Sequence, residues 1–157
     1  MVGRNIETLG DYFLYGCSSL ASIDLSPLSQ VRQVGDCFLH ECSRLKAIDL
    51  SPLSRVTYVG NYFLCGCSNL RSIDLLPFSQ VTQVGNYFLY GCSSLASIDL
   101  SPLSQVTQVG DYFLVECIGL QNIRIGQKLY DLLGQQSFEQ QPFFKEFSKD
   151  NIAVDLS

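Results

Sequence analysis

The chain has 157 residues, a formal net charge of −5 and a hydrophobic content of 46%. This length and composition are sufficient for one folded domain and exclude a disordered chain. The acidic balance argues against binding to nucleic acid or anionic lipid, because both need clustered lysines and arginines. No apolar run approaches the roughly 18 residues that span a bilayer, and the N-terminus lacks the apolar stretch of a signal peptide, so we expect no membrane insertion.

Residues 4–10, "RNIETLG", supply only half of the unit that repeats through the rest of the chain, since they align with "SQVRQVG". We therefore expect the core of the first unit to be partly exposed. Two explanations stay open at this point. Either the chain is cut from a longer array, which we favour, or this end meets another molecule, including end-to-end self-association through the N-terminal coil.

A unit of 25 residues repeats so closely that residues 11–35 and 86–110 differ at only two positions. Such near-identity indicates recent tandem duplication or deliberate consensus construction. A unit of this size cannot bury its apolar side alone, because nothing within it covers both flanks. We therefore predict a repeat solenoid whose units stack around a continuous core. The recurring landmarks are Gly10, Gly35, Gly60, Gly85 and Gly110, with Pro27, Pro52, Pro77 and Pro102.

Each unit begins with Asp or Asn followed by "YFLYGC" or a variant of it. Asp or Asn at this place predicts a helix N-cap, so that Phe13, Leu14 and Cys17 would face the core from a single helical turn. The pattern L-x-x-I-x-L follows and predicts a strand whose Ile and last Leu point inward, while the residue between them points outward. Proline ends this strand, because it cannot donate to a ladder. These strands should form a parallel sheet on one face, with the helical turns opposite.

A column of four tyrosines and one cysteine follows the predicted N-cap. We predict that these rings pack along the coil, with a sugar- or protein-binding stripe as the alternative. His40, the only histidine, stands where sister units carry Tyr15 or Tyr90, and we interpret it as a loop substitution and not as a catalytic group. The column comprises Tyr12, Cys37, Tyr62, Tyr87 and Tyr112.

Five of the seven cysteines fall 25 residues apart. A free cysteine behaves as a small buried hydrophobe, so this spacing predicts an internal column of thiols, with disulfides between neighbouring repeats as the alternative. The odd total and the absence of a paired C-x-x-C argue against a structural zinc site, and we expect no cofactor or metal. The regular set is Cys17, Cys42, Cys67, Cys92 and Cys117, and the additional residues are Cys37 and Cys65.

The outward residue of each predicted strand forms the candidate partner-binding column. One interpretation is a solvated polar face that blocks sheet-on-sheet aggregation. A second is a concave acidic surface that binds a basic segment of a partner protein, and a third is divalent-cation binding. The negatively charged aspartates of the neighbouring units should raise the pKa of Asp49 or Asp74. The candidates are Asp24, Asp49, Asp74, Asp99 and Arg124, flanked by Ser22, Ser72 and Ser97 on one side and by Ser26, Ser51 and Ser101 on the other.

The period breaks after Ile125. Leu129, Leu132 and Leu133 have helical spacing, and Pro142 is typical of a first helical residue before Phe143, Phe144 and Phe147. Because an open solenoid end exposes core, we predict that this segment covers the last coil as a C-terminal cap, with a separate docking helix as the alternative. The "VDLS" of residues 154–157 repeats the "IDLS" of the units and predicts a further short strand beside residues 123–125.

The order "VGNYFLYGCSSLASIDLSPLSQVTQVG" (84–110) resembles the BspA-type leucine-rich repeats, whose usual unit runs I-G-x-x-A-F-x-x-C-x-x-L-x-x-I-x-I-P. The resemblance covers roughly residues 4–126. Phe-Leu replaces the family's Ala-Phe, and Asp replaces its more usual Thr at the outward position. The resemblance implies a right-handed leucine-rich-repeat coil over residues 1–126, of about five units with the N-terminal one incomplete, followed by the helical cap at 127–157. Members are often surface-exposed adhesins or host-contact proteins of bacteria and protists, which implies a cell-surface or secreted location.

The sequence offers like groups in a straight row, whereas catalysis needs unlike groups brought together in a pocket. No nucleophile elbow, phosphate loop, dinucleotide glycine motif or metalloprotease histidine pair is present. We therefore predict no enzymatic activity. Two classes of function remain, namely a protein-interaction scaffold that uses the acidic face, and a passive structural spacer or consensus-built array without a dedicated ligand.

Overall fold

The computed structural model describes residues 6–135, residue 147 and residues 149–155. Three short 3-10 turns, Ser26–Leu28, Ser51–Leu53 and Leu76–Phe78, follow the first three aspartates of the column, and a fourth is Lys149–Asn151. In chain order the strands and helix are β1 (Thr8–Leu9), β2 (Gln33–Val34), β3 (Tyr58–Val59), β4 (Gln83–Val84), β5 (Ser97–Asp99), β6 (Gln108–Val109), β7 (Asn122–Gly126), α1 (Gln127–Gly134) and β8 (Ile152–Asp155).

The predicted stacking of units is confirmed by a five-stranded parallel sheet in the order β1-β2-β3-β4-β6. Its register steps by one unit at a time, since Thr8 pairs with Gln33, Gln33 with Tyr58 and Tyr58 with Gln83. Successive units are therefore coils of one solenoid. Equivalent side chains of neighbouring units must then lie in columns along the stack.

The structure contains two parallel sheets, and only the smaller one includes segments of the L-x-x-I-x-L pattern. Of the L-x-x-I-x-L segments in units one to four, only the fourth forms a strand, β5, which pairs with β7 in a three-stranded parallel sheet β5-β7-β8. In the earlier units these segments form no strand, and the side chain of the aspartate accepts the backbone N–H two positions later, as in Asp24 and Ser26. The main sheet is built instead from the two-residue segments that precede each unit's glycine.

The predicted helical turn after the Asp or Asn is wrong. The backbone there forms consecutive turns in which every second residue is left-handed, with φ of 66° at Tyr12, 52° at Leu14 and 70° at Gly16. The equivalent residues of the following coils behave alike, but Glu41 and Glu116 stand where other coils carry glycine. Alternation of this kind cannot make a helix, because a helix requires the same backbone angles at every residue.

The alternating backbone directs the N–H groups of every second residue to opposite neighbours in the stack. In the second coil, the N–H of Cys37 donates to Asn61 O of the next coil (2.8 Å), and the N–H of Leu39 donates to Phe13 O of the preceding coil (2.9 Å). The N–H of Glu41 again donates to the next coil, at Cys65 O (2.7 Å). Backbone groups that a helix would satisfy internally are satisfied here between coils.

The Asp or Asn at the start of each unit forms a second set of bonds between coils, which we call the Asx ladder. Each Oδ1 accepts the backbone N–H of the equivalent residue in the next coil, at 2.8 Å from Asp36 N to Asp11 and from Asn61 N to Asp36. The ladder continues at 2.8 Å through Asn86 and Asp111. Asp and Asn alternate freely at this position because either side chain supplies the accepting oxygen.

The core runs along the stack as columns of identical side chains. Phe38, Leu39 and Cys42 are fully buried, as the sequence predicted for this face of the unit. Five phenylalanine rings stack along the axis with interplanar angles of 5–9° and centroid separations of 5.2–5.5 Å. In the first coil the equivalents Phe13 and Leu14 are only partly buried, which confirms the expected exposure of that coil's core.

The C-terminal segment packs on the last coil. Leu129 and Leu133 of α1 are buried in the common core, and so is Phe147. Strand β8 lies beside β7, with Ile152 paired to Ile123 and Val154 to Ile125, so it begins two residues before the predicted "VDLS" strand. The predicted helix around Pro142, Phe143 and Phe144 lies outside the described residues, as do Leu156 and Ser157.

The glycine before the Asx of the second to fifth coils is needed for the close approach of the coils. A Cβ added at Gly60 would lie 2.7 Å from both Asp36 Oδ1 and the carbonyl carbon of Gly35. We expect Gly60→Ala to lower the free energy of unfolding by about 1–3 kcal/mol, because backbone must move to admit the methyl group. Urea unfolding followed by circular dichroism measures the change.

Gly10→Ala is the matched control, because a Cβ at Gly10 meets nothing within 4 Å. It should leave the free energy of unfolding within about 0.5 kcal/mol of the parent. Equal effects at the two glycines would contradict the close approach of the coils.

Candidate partner-binding surface

The structure places the four predicted aspartates at equivalent, solvent-exposed positions of successive coils. We call Asp24, Asp49, Asp74 and Asp99 the acidic column. Arg124 holds the next position along it, since Arg124 pairs in register with Asp99. The column thus presents four negative charges and ends in a positive one.

A turn that the sequence analysis missed holds each aspartate. In each case Oδ1 accepts the backbone N–H of the residue two positions later at 2.9 Å, an Asx turn that leads into the Ser-Pro-Leu or Leu-Pro-Phe turn. At Asp99 the hydroxyl of Ser101 donates to the same oxygen at 2.6 Å. The signal was present in the sequence as an aspartate three residues before a proline, which favours a turn.

The hydrogen bonds reverse the expected electrostatic effect at Asp49. Its pKa is lowered, first by the hydroxyl of Ser51 and then by the N–H of Ser51, and the neighbouring charge of Asp24 raises it by less. The pKa of Asp24 is lowered as well, first by the N–H and then by the hydroxyl of Ser26. The prediction of a raised pKa is therefore wrong for Asp49, because donors to the ionised form outweigh like-charge repulsion in solvent.

The two rows of serines differ in what they contact. Ser26, Ser51 and Ser101 follow the aspartates and donate to their carboxylates. Ser22, Ser72 and Ser97 precede the aspartates and are exposed, and no hydrogen bond joins them to the column within the described residues. Only the first row therefore positions the carboxylates.

Positive charges lie at the borders of the column. Arg124 Nη2 forms an ion pair with Asp155 Oδ2 of β8 at 3.0 Å, so its partner is the last strand. Lys46 and Arg71, which sequence reasoning did not single out, are exposed three residues before Asp49 and Asp74. A cavity of about 310 Å³ lined by Asp99, Arg124 and residues of β8 marks the C-terminal end of the column.

The tyrosine column packs along the coils as predicted. The rings of Tyr62 and Tyr87 stack at a centroid distance of 4.7 Å, and those of Tyr87 and Tyr112 at 4.9 Å. These faces are occupied by one another, which leaves mainly ring edges for any ligand. Tyr12 in the first coil is 65% exposed.

His40 is built into this aromatic layer. Its ring stacks on Tyr62 at 5.1 Å and meets Tyr15 edge-on at 5.1 Å. Burial lowers the pKa of His40, while the carboxylate of Glu41, 3.9 Å from Nε2, acts in the opposite direction. Tyr15 and Tyr90 instead meet the tyrosine of their own coil edge-on, so His40 packs differently from the residues it replaces and stacks on the next coil.

The thiol column is confirmed, since all seven cysteines are free. The Sγ of Cys67 donates to Leu39 O of the preceding coil at 3.2 Å, and that of Cys92 to Leu64 O at 3.3 Å. Burial raises the pKa of Cys65 and of Cys67 to about 12. Such thiols are protonated at neutral pH, which suppresses both nucleophilic attack and metal ligation.

Within residues 6–135 and 147–155, as far as these are described, no three metal-ligating side chains cluster in a way that could hold an ion. Across the same part of the chain, no helix has the length and apolarity to cross a bilayer.

A family model described as the BspA type leucine rich repeat region matches residues 7–145, in six copies. Among solved structures, a leucine-rich repeat protein from Bacteroides ovatus is similar at 23% identity and a TM-score of 0.59, over 95% of this chain and 40% of that one. The functional domain of InlJ from Listeria monocytogenes, which includes a cysteine ladder, matches at 17% identity and a TM-score of 0.49, over 77% of this chain and 25% of that one. No curated protein gives a significant match. The chain spans two fifths of the Bacteroides protein, and that likeness concerns the fold.

The Asx turn makes a testable difference between two substitutions of Asp49. Asp49→Ala should lower the unfolding midpoint, because the N–H of Ser51 loses its acceptor, whereas Asp49→Asn keeps an oxygen in place and should change it less. The folded pKa of Asp49 lies below the ordinary 3.8, so its ionised form contributes stability above that pH and the contribution is lost as the pH falls through the folded value. Thermal unfolding of both variants near neutral and acidic pH tests this, and equal midpoints would contradict it.

His40 should make stability depend on pH near neutrality. Its folded pKa lies below the ordinary 6.5, so the unfolded chain binds more protons in between and stability rises with pH across that window. The contribution is complete above about pH 6.5 and is lost as the pH falls through the folded pKa. In His40→Tyr, which restores the residue of Tyr15 and Tyr90, this step should disappear. Urea unfolding of both proteins on either side of pH 6.5 measures the difference, and parallel curves would refute the prediction.

Proposed function

We propose that this chain, which belongs to the BspA-type leucine-rich repeat family, is a non-enzymatic protein-interaction scaffold whose acidic column binds a basic segment of a partner protein. One observation carries the proposal. Four exposed carboxylates occupy equivalent positions on coils whose register is fixed by the parallel sheet.

The Asx turns support recognition by holding the carboxylates in one orientation. Each aspartate accepts the backbone N–H through Oδ1, and Oδ2 takes no part in this bond. The second oxygen can therefore accept from a lysine or arginine while the turn stays intact. Because less side-chain entropy is lost on binding, a preoriented row binds better than free aspartates would.

The spacing of the column fits an elongated partner. Coils of a parallel stack are about 4.8 Å apart, so the four carboxylates span roughly 14 Å. An extended peptide with several lysines or arginines can contact more than one of them. Each exposed ion pair contributes little alone, so affinity should depend on several pairs together and should fall with salt.

The proposal that the chain is not an enzyme is supported by the same geometry. The acidic column repeats one group at every step, and the buried thiols that could act as nucleophiles have raised pKa values. We propose a cell-surface or secreted location from the family resemblance, and candidate partner-binding residues that include the flanking serines Ser22, Ser26, Ser51, Ser72, Ser97 and Ser101.

A passive spacer is the second candidate function, and the Asx turn favours it. The carboxylate of each aspartate stabilises its own turn, so the column would be retained without any partner. Lys46 and Arg71 also dilute the negative charge of the central coils. A spacer requires only the stack, and no face of it would bind selectively.

The two functions differ in the binding of basic peptides. We expect an array of lysine- and arginine-rich peptides to contain binders of the parent chain, and the double variant Asp49→Asn, Asp74→Asn to bind them about two- to thirtyfold more weakly at low salt, through the loss of two exposed ion pairs. At high salt the difference should shrink.

The matched control is the double variant Asp11→Asn, Asp36→Asn. It removes the same charge from the Asx ladder, where Asn61 and Asn86 already occur and accept the same bond. It should retain binding. Equal losses in the two variants, or no bound peptide at all, would refute the acidic column as a binding site and support the spacer.

A further inference from the structure

Two positive side chains stand in a column of their own beside the acidic column. The N–H of Arg71 donates to Lys46 O at 2.9 Å, which places the two residues at equivalent positions of neighbouring coils. Both side chains are exposed. Arg44 adds an exposed positive charge two residues before Lys46, and the buried Leu45 between them indicates that both point to the same side. We call Lys46 and Arg71 the basic pair.

The basic pair is confined to the two central coils of the acidic column. Ala21 and Ala96 occupy the equivalent positions of the coils on either side. The surface therefore carries a row of four negative charges beside a shorter row of two positive charges. Three residues separate the rows along the chain, as from Lys46 to Asp49, so the rows lie at most about 11 Å apart.

These opposite charges do not neutralise each other. Within the described residues, no ion pair or side-chain hydrogen bond involves Lys46 or Arg71. The aspartates instead direct Oδ1 to backbone N–H groups that follow them in the chain, as from Asp49 to Ser51 at 2.9 Å. Both rows are therefore available to the charges of a partner.

The strip between the two rows is shallow. Its exposed side chains in the central coils are Ala47 and Ser72, and Ile48 and Ile73 are half-buried. Alanine and serine are short, so the longer charged side chains border a path that runs along the stack. The main chain of a peptide can lie on this path with charged groups on both sides of it.

We propose that the segment bound by the acidic column is an extended peptide of alternating charge, whose basic residues contact the acidic column and whose acidic residues contact the basic pair. This inference rests on the proposed function and specifies its partner. Successive side chains of an extended chain point to opposite sides, so one strand can serve both rows. Side chains on one side recur about every 6.8 Å, and long flexible side chains can match this step to coils about 4.8 Å apart.

The two rows select against other peptides. A uniformly basic peptide would place positive charges against Lys46 and Arg71, and like charges across an interface repel. An α-helix of alternating sequence would distribute both charges around its whole surface, because successive residues lie about 100° apart. Only the extended form sorts the two charges to two sides.

The test uses the full chain and two fluorescent peptides, one of Lys-Glu repeats and one of Lys-Ser repeats, in anisotropy titrations at low salt. The parent should prefer the Lys-Glu peptide. The double variant Lys46→Gln, Arg71→Gln should reduce this preference, taken as the ratio of the two dissociation constants, about two- to thirtyfold through the loss of two exposed ion pairs. An unchanged ratio would overturn the proposal.

The matched control is the double variant Arg32→Gln, Arg55→Gln. It removes the same charge from segments that follow the turns Ser26–Leu28 and Ser51–Leu53, and it should keep the ratio of the parent. An equal fall of the ratio in both double variants would indicate a general effect of net charge and would overturn the proposal.

The same titrations separate this inference from the proposed function. If neither peptide binds the parent, the acidic column is not a binding site and both proposals fail. If the Lys-Ser peptide binds and the substitutions of Lys46 and Arg71 leave the ratio unchanged, only the inference of alternating charge fails. A dimer of the parent in sedimentation that is lost in the Lys46→Gln, Arg71→Gln variant would assign the two rows to self-association and would also overturn the inference.

Discussion

Hydrogen bonding between coils is the constraint on which the structure depends. The N–H groups of alternate residues after each Asx point to opposite neighbours, as in Cys37, Leu39 and Glu41, and these residues are left-handed. That conformation costs about 1–2 kcal/mol for a residue other than glycine. A hydrogen bond contributes a net 0.5–1.5 kcal/mol, so the bonds to neighbouring coils offset much of this cost. Single units of this chain consequently have no reason to hold this backbone alone.

The hydrogen bonds between coils fix the register of the stack, and this register places equivalent side chains in columns. The Asx ladder, the phenylalanine stack and the thiol column each repeat one contact at each step, with bonds of 2.8 Å along the ladder. The acidic column is the exposed member of the same set. Its aspartates serve the chain twice, since Oδ1 closes a turn while the charge stays in solvent. A surface can thus acquire regular charge spacing as a by-product of turn formation.

The period of the sequence was enough to predict the stack, the buried sides and the outward aspartates, because repetition alone fixes which residues share a column. It could not predict the backbone of the "YFLYG" segment. A helical turn and an alternating turn both place Phe and Leu inward, so side-chain periodicity does not distinguish the sign of φ. The pKa of Asp49 was mispredicted for a similar reason, because the Coulomb argument considered the column along the stack and omitted the donor two residues along the chain. The positions of the candidate site could be read from the sequence, and its hydrogen bonds could not.

The burial of the thiol column has a consequence for the oxidation of its cysteines. Cys42, Cys67, Cys92 and Cys117 are almost inaccessible, while Cys17 in the first coil is half-buried. Of these thiols, Cys17 is therefore the one that a dissolved oxidant reaches most readily. Oxidation should therefore begin at Cys17 and reach the inner thiols only when the coils separate.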